Sequence, residues 1–180
     1  MDIASHGLWG GIAFGRTSKK SWWTAFAFGI GPDLFSFGIL FVANLLGLSF
    51  VPSPPAGGWS AGPPDPGLIP SYIHVLYNLT HSFVTFAIIF ALVWLILKRP
   101  LMEMGAWAFH IVLDIGTHDI KFFPTPYLWP LPYPEVDGVS WGNPLIWYSN
   151  LTLLALAYIV WFLSRRKKHS PNPPDAKELR

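Results

Sequence analysis

Four stretches of this chain, residues 22–51, 72–97, 101–120 and 145–163, are apolar enough and long enough to cross a lipid bilayer. A helix needs about 20 residues to cross the hydrocarbon layer, and each stretch has that length. The pattern predicts an all-α, polytopic membrane protein with about four transmembrane helices. Residues 3–15 are too short to cross and are expected to form a re-entrant or interfacial helix packed on the others. Composition agrees: 52% of residues are hydrophobic, only 12% are charged, and the mean hydropathy is +0.39. That profile belongs to integral membrane proteins rather than to soluble cores.

The basic residues orient the spans. Arg16, Lys19 and Lys20 lie in one connection, Lys98 and Arg99 in another, and Arg165 to Lys168 follow the last span. If each span crosses once, all three clusters share a side, with Lys121 the single exception. The loops 51–67 and 132–138 carry neither Lys nor Arg and fall on the other side. The positive-inside rule then places the C-terminus in the cytoplasm and the chain in a cell inner (plasma) membrane. Residues 1–164 read as one membrane-embedded domain, and 165–180 as a polar, Pro-bearing tail with the composition of a disordered segment. Trp59, Trp129 and Trp141 suit an interfacial belt. Nothing at the N-terminus reads as a cleavable signal peptide. The short basic tail is a topology signal and a contact for anionic lipid, and no nucleic-acid partner is expected. Membrane lipid is the expected partner, and a homo-oligomer is left open.

Against this background the segment FHIVLDIGTHD, residues 109–119, stands out. Burying an unpaired carboxylate in hydrocarbon costs several kcal/mol, so such groups need a partner, a proton or a metal. On a helix, His110, Asp114, Thr117 and His118 fall on one face, as do His74, Asn78, His81 and Thr85 in the preceding span. Asp33 follows Gly29-Ile30-Gly31-Pro32, where a helix break is expected to free backbone and carboxylate to line a cavity. Counted from the membrane ends, Asp33, His81, His110 and Asp114 reach similar depths. Without a cation, two carboxylates sharing a dry site force one of them to protonate. A divalent metal removes that problem, and with no cysteine in the chain it must be held by His nitrogen and carboxylate oxygen. Blander roles fit other residues. His74 lies near the membrane surface, where a helix–helix hydrogen bond suffices, and His169 lies in the polar tail. The sequons at Asn78 and Asn150 sit inside predicted spans, out of reach of glycosylation.

The ordered set His6, then Pro32-Asp33, then Thr80-His81-Ser82, then His110-x-x-x-Asp114-x-x-Thr117 resembles the bacterial and archaeal inner-membrane, metal-dependent hydrolase family, to which the LexA-regulated inner-membrane proteins belong. Tyr127-Leu128-Trp129-Pro130 is similar to the Leu-Trp-Pro that often follows. That family looks distantly like the zinc-dependent phospholipase C and single-strand nuclease group. The resemblance implies that Asp33, His81, His110 and Asp114 hold one zinc, or manganese. It also implies that Asp114 bridges to a second metal bound with the help of His6, with His118 adding to that site. Two departures matter. Leu76-Tyr77-Asn78 stands where the family has His-Arg-Gly, and Leu34-Phe35 follows Asp33 where members often carry a second Asp.

The expected function is a membrane-embedded, metal-dependent hydrolase of a lipid-like (phospho)ester. In it Asp114 and His118 act at the reacting water, and Thr80, Ser82 and Thr117 steady the ligands. The alternative is a non-enzymatic membrane protein whose His/Asp cluster binds or conducts a cation or proton. A structural protein with a vestigial site is the third.

Overall fold

A computed structural model describes residues 1–48, 67 and 69–168. Among these, every regular element is helical: α1 (Ile3–Phe14), α2 (Lys19–Leu45), α3 (Ser71–Thr80), α4 (Phe83–Leu97), a 3-10 turn at Met102–Met104, α5 (Gly105–Thr117) and α6 (Pro144–Lys168). The loop from 51 to 66 with Trp59, the end of the predicted first span, and the tail beyond Lys168 with His169 lie outside the described residues.

Two helices are long and apolar enough to cross a membrane, Lys19–Ala43 and Pro144–Arg165; counting α3 and α4 as one broken span makes three. The expected fourth, at 101–120, is shorter than its apolar stretch. Its helix has 13 residues and rises about 20 Å, against a hydrocarbon thickness of about 30 Å. The outward faces nonetheless carry large exposed apolar side chains. Ile96, Leu145 and Val160 are 76%, 74% and 65% exposed, and patches of that kind need lipid or protein to cover them.

α1 is not peripheral. It packs against α2, α5 and α6, and small residues let the backbones close in. A Cβ on Gly29 would lie 2.5 Å from the His6 carbonyl oxygen, and one on Gly10 would lie 2.8 Å from the Ala106 Cβ. Asp2 caps the helix, its carboxylate accepting from the Ser5 N–H at 2.9 Å.

The sequence departs from expectation at two breaks. α2 runs through Pro32 as one helix, where an interruption is predicted. Proline removes one donor, the N–H that the carbonyl four residues earlier would use, and neighbouring helices make that loss tolerable. The real break falls in 72–97, where α3 and α4 meet at a 61° bend around His81 and Ser82. Ser82 Oγ accepts from the Val84 and Thr85 N–H groups and donates to the Trp129 carbonyl, while the Phe83 N–H donates to Tyr127 O at 2.9 Å. His81 thus ends one helix and Thr85 begins another, so they do not share a helical face.

The segment after α5 folds back over the helix end. Gly138 N–H donates to His118 O at 2.9 Å, Val139 to Gly116 O at 3.1 Å and Trp141 to Thr117 O at 2.8 Å. At the opposite end Arg165 Nη2 donates to Arg16 O at 2.7 Å, and Ser21 Oγ to Glu103 at 2.6 Å. Two of the basic clusters are therefore neighbours. An apolar cluster of Ile69, Ile73, Tyr77 and Phe123, with Phe37 and Leu40 against it, packs beside the polar centre.

Candidate metal centre

Each helix delivers its polar groups to one place for a local reason. α5 puts His110 and Asp114 one turn apart on its buried face. α2 contributes Asp33, 6% exposed, and the α3–α4 break contributes His81, fully buried. One ligand atom from each of Asp33, His81, His110 and Asp114 lies within 4.8 Å of the others, and this group could hold a metal ion. Two metal–ligand bonds of about 2.0–2.2 Å each span about 4 Å, so the donor set is close to the size one ion requires.

The imidazole orientations carry more information than the distances. His110 Nδ1 lies 2.7 Å from Gly29 O, His81 Nδ1 lies 3.1 Å from Tyr77 O, and His118 Nδ1 lies 2.9 Å from Phe123 O. A carbonyl only accepts, so each Nδ1 carries a proton, and each ring, when neutral, offers an Nε2 lone pair to the interior. All three Nε2 atoms face Asp114, at 3.1 Å for His110, 3.4 Å for His81 and 3.4 Å for His118. His110 Nε2 and His81 Nε2 lie 3.0 Å apart. Two lone pairs at that separation repel unless a cation or a proton sits between them. Backbone carbonyls that fix the tautomer of this kind are a common outer layer of metal sites.

Asp114 divides its oxygens. Oδ2 faces His81 and His110, and Oδ1 faces His6 Nε2 at 2.9 Å, His118 Nε2 at 3.4 Å and the Met1 amine at 2.6 Å. A carboxylate shared between two donor groups has the geometry of a bridge. His6 stacks on His110 with ring centroids 3.7 Å apart. Neither His6 nitrogen, nor Asp33 Oδ2, nor Asp114 Oδ2 makes a properly aligned hydrogen bond, though all are buried. Unpaired polar atoms on three converging side chains fit a cation.

The sequence-derived residues sort as follows. Asp33, His81, His110 and Asp114 come together, with His6 and His118 on the Asp114 Oδ1 side. His118 arrives there although it caps α5 in an extended conformation, off the helical face. Thr80 Oγ1 lies 3.0 Å from His81 Nδ1 and steadies that ring. Thr117 Oγ1 donates to Leu113 O at 2.9 Å and accepts from the Met1 amine at 3.1 Å. Ser82 acts on backbone, as the cap of α4, and touches no ligand ring. His74 stacks on Phe123, centroids 4.8 Å apart, outside the cluster.

Three contributors carried no signal in the sequence. Tyr77 stacks on His81 at 3.9 Å and donates its hydroxyl to Phe123 O at 3.0 Å, the carbonyl that also holds His118. The Phe123 carbonyl belongs to a residue with φ of 51°. Asn150 is buried between α1 and α6, accepting from Trp9 Nε1 at 2.9 Å and donating to Ser5 Oγ at 2.7 Å, one residue from His6.

No family model matches the chain, and neither a curated protein nor a solved structure matches it. Fold and centre together define an all-helical protein with two helices apolar enough to span a membrane and a buried Asp/His group that could hold a metal ion.

Proposed function

We propose that the chain is a membrane-embedded, metal-dependent hydrolase that takes a lipid-like phosphoester, with zinc as the resident metal. The observation that carries this is the convergence of three Nε2 lone pairs on Asp114, each ring turned by a backbone carbonyl. His81, His110, Asp33 and Asp114 Oδ2 would hold one ion, and His6 and Asp114 Oδ1 a second. When bound, zinc supplies Lewis acidity and brings the pKa of its water towards neutrality. The chain's own groups do the rest. Asp114 orients the reacting water from Oδ1, and His118, 8% exposed at the edge of the group, passes its proton outward. Thr80, Tyr77 and the Gly29 and Phe123 carbonyls keep the rings from rotating. The resemblance to the inner-membrane hydrolase family supports the same assignment. Tyr77, in place of that family's Arg, leaves no cation there to clamp a phosphate, so substrate contacts must come from elsewhere.

A second reading, a cation or proton site without hydrolysis, has one observation in its favour. His118, Asp114, His110 and His81 form an unbroken chain of contacts no longer than 3.4 Å, as a proton relay needs.

Elemental mass spectrometry on detergent-purified protein separates these. One or two equivalents of zinc or manganese, with turnover of a phosphatidyl or polyprenyl phosphoester, supports the hydrolase. Metal without turnover supports cation binding. No stoichiometric metal in folded protein sinks the metal-dependent mechanism.

A further inference from the structure

Away from the centre, a groove of about 970 Å³ runs between α1, α5 and α6. Its lining is largely apolar and includes Trp9, Phe109, Leu156, Ala157 and Val160. One rim is different in kind, being made of Arg16, Thr17, Ser164 and Arg165. The two guanidinium groups are held in place. Arg16 Nε donates to Ile12 O at 3.1 Å, Arg165 Nη2 donates to Arg16 O at 2.7 Å, and Arg165 lies 4.3 Å over the Trp161 ring. Each spends one of five donors on backbone. Among the described residues no carboxylate pairs with either.

We infer that this groove binds one anionic phospholipid, an acyl chain lying along α6 and the phosphate at the Arg16–Arg165 rim. Charge decides the occupant. Two guanidinium groups lining one rim with two hydroxyl groups favour an anion, and planar guanidinium groups match phosphate oxygens in pairs. The apolar wall asks that the anion carry a hydrocarbon chain. From Leu153 to Arg165 the groove follows 12 residues of α6, about 18 Å of helix, a length suited to an acyl chain rather than to a headgroup alone. Basic pockets between membrane helices take anionic lipids for the same reason.

This lipid is not the substrate in a reacting position. Arg16 lies ten residues along the chain from His6, roughly 15 Å at the helical rise. Trp9, which lines the groove, has its indole pinned to Asn150, and Asn150 to Ser5. The site is separate from the metal centre and stands whether or not that centre is catalytic.

Native mass spectrometry of the full chain, released from detergent with added phosphatidylglycerol or phosphatidylcholine of identical chains, tests it. One phosphatidylglycerol should stay bound at concentrations where phosphatidylcholine is lost. Arg16→Gln with Arg165→Gln should weaken retention about tenfold or more, and Ala157→Trp, which fills the groove, should abolish it. Metal content and circular dichroism report that each variant is folded. Three outcomes overturn the proposal: equal retention of both lipids, which means boundary lipid only; equal displacement by glycerol phosphate, which means an anion site without a chain; and a dimer that Ala157→Trp dissociates, which means the groove seats a second copy.

Discussion

His81 Nε2 and His110 Nε2 lie 3.0 Å apart, and each ring's Nδ1 is tied to a backbone carbonyl, Tyr77 O for one and Gly29 O for the other. The rings cannot relieve the contact by flipping without abandoning those carbonyls. A cation or a proton between them makes the arrangement favourable, and the two carboxylates nearby supply the compensating charge.

Removing a ligand should therefore remove the metal rather than the fold alone. His81→Ala, His110→Ala and Asp114→Ala are each expected to lose the stoichiometric metal of the wild type. Thr80→Val, which takes away only the hydroxyl beside His81 Nδ1, should weaken metal affinity about tenfold, the usual scale for an outer partner. Elemental mass spectrometry with chelator competition measures both. A Thr80→Val protein with unchanged affinity would show that the hydroxyl does not steady the ring.

Metal retention should depend on pH in one direction. Binding needs neutral imidazoles and ionised carboxylates, so protons compete with the metal. Affinity should be highest at alkaline pH and fall as the pH drops. Titration against a zinc buffer at fixed ionic strength reads this out, and a flat profile would exclude histidine from the ligand set.

Gly29→Ala should couple the fold to the centre. Its Cβ would lie 2.5 Å from the His6 carbonyl oxygen and 3.0 Å from the Gly7 Cα, contacts with backbone that cannot swing away. Overpacking of this kind costs about 1–3 kcal/mol, and separating α1 from α2 also moves the Gly29 carbonyl from His110. Thermal unfolding in detergent should show a lower midpoint together with weaker metal binding. Gly31→Ala, with no atom within 4 Å of its added Cβ, is the matched control and should change neither.

Asn150→Leu should destabilise without touching a ligand. It leaves the half-buried Trp9 indole N–H without its acceptor, a loss of about 1 kcal/mol. Denaturant or thermal unfolding should show that loss. Metal stoichiometry should persist in the folded fraction, since Asn150 reaches His6 only through Ser5.

The apolar periods and the scarcity of charge by themselves determined that this chain is helical and suited to a membrane. They also determined which four side chains were too costly to bury alone, because the desolvation of Asp33, Asp114, His81 and His110 is a property of residue type and local hydropathy. Helical spacing was enough to pair His110 with Asp114, since one turn of α5 joins them. Spacing failed where the helix was not continuous. The α3–α4 bend at His81 is fixed by Ser82 and by carbonyls of the 127–129 loop, and the unbroken course of α2 through Pro32 by the helices around it. His118 reaches Asp114 through its own turn off α5, held by the carbonyl of Phe123. Gly29 reaches His110 through a backbone carbonyl brought from another helix, and Phe123 holds His118 through one brought from the loop after α5. Such contacts depend on where a main-chain oxygen lands after packing, and only the tertiary structure decides that.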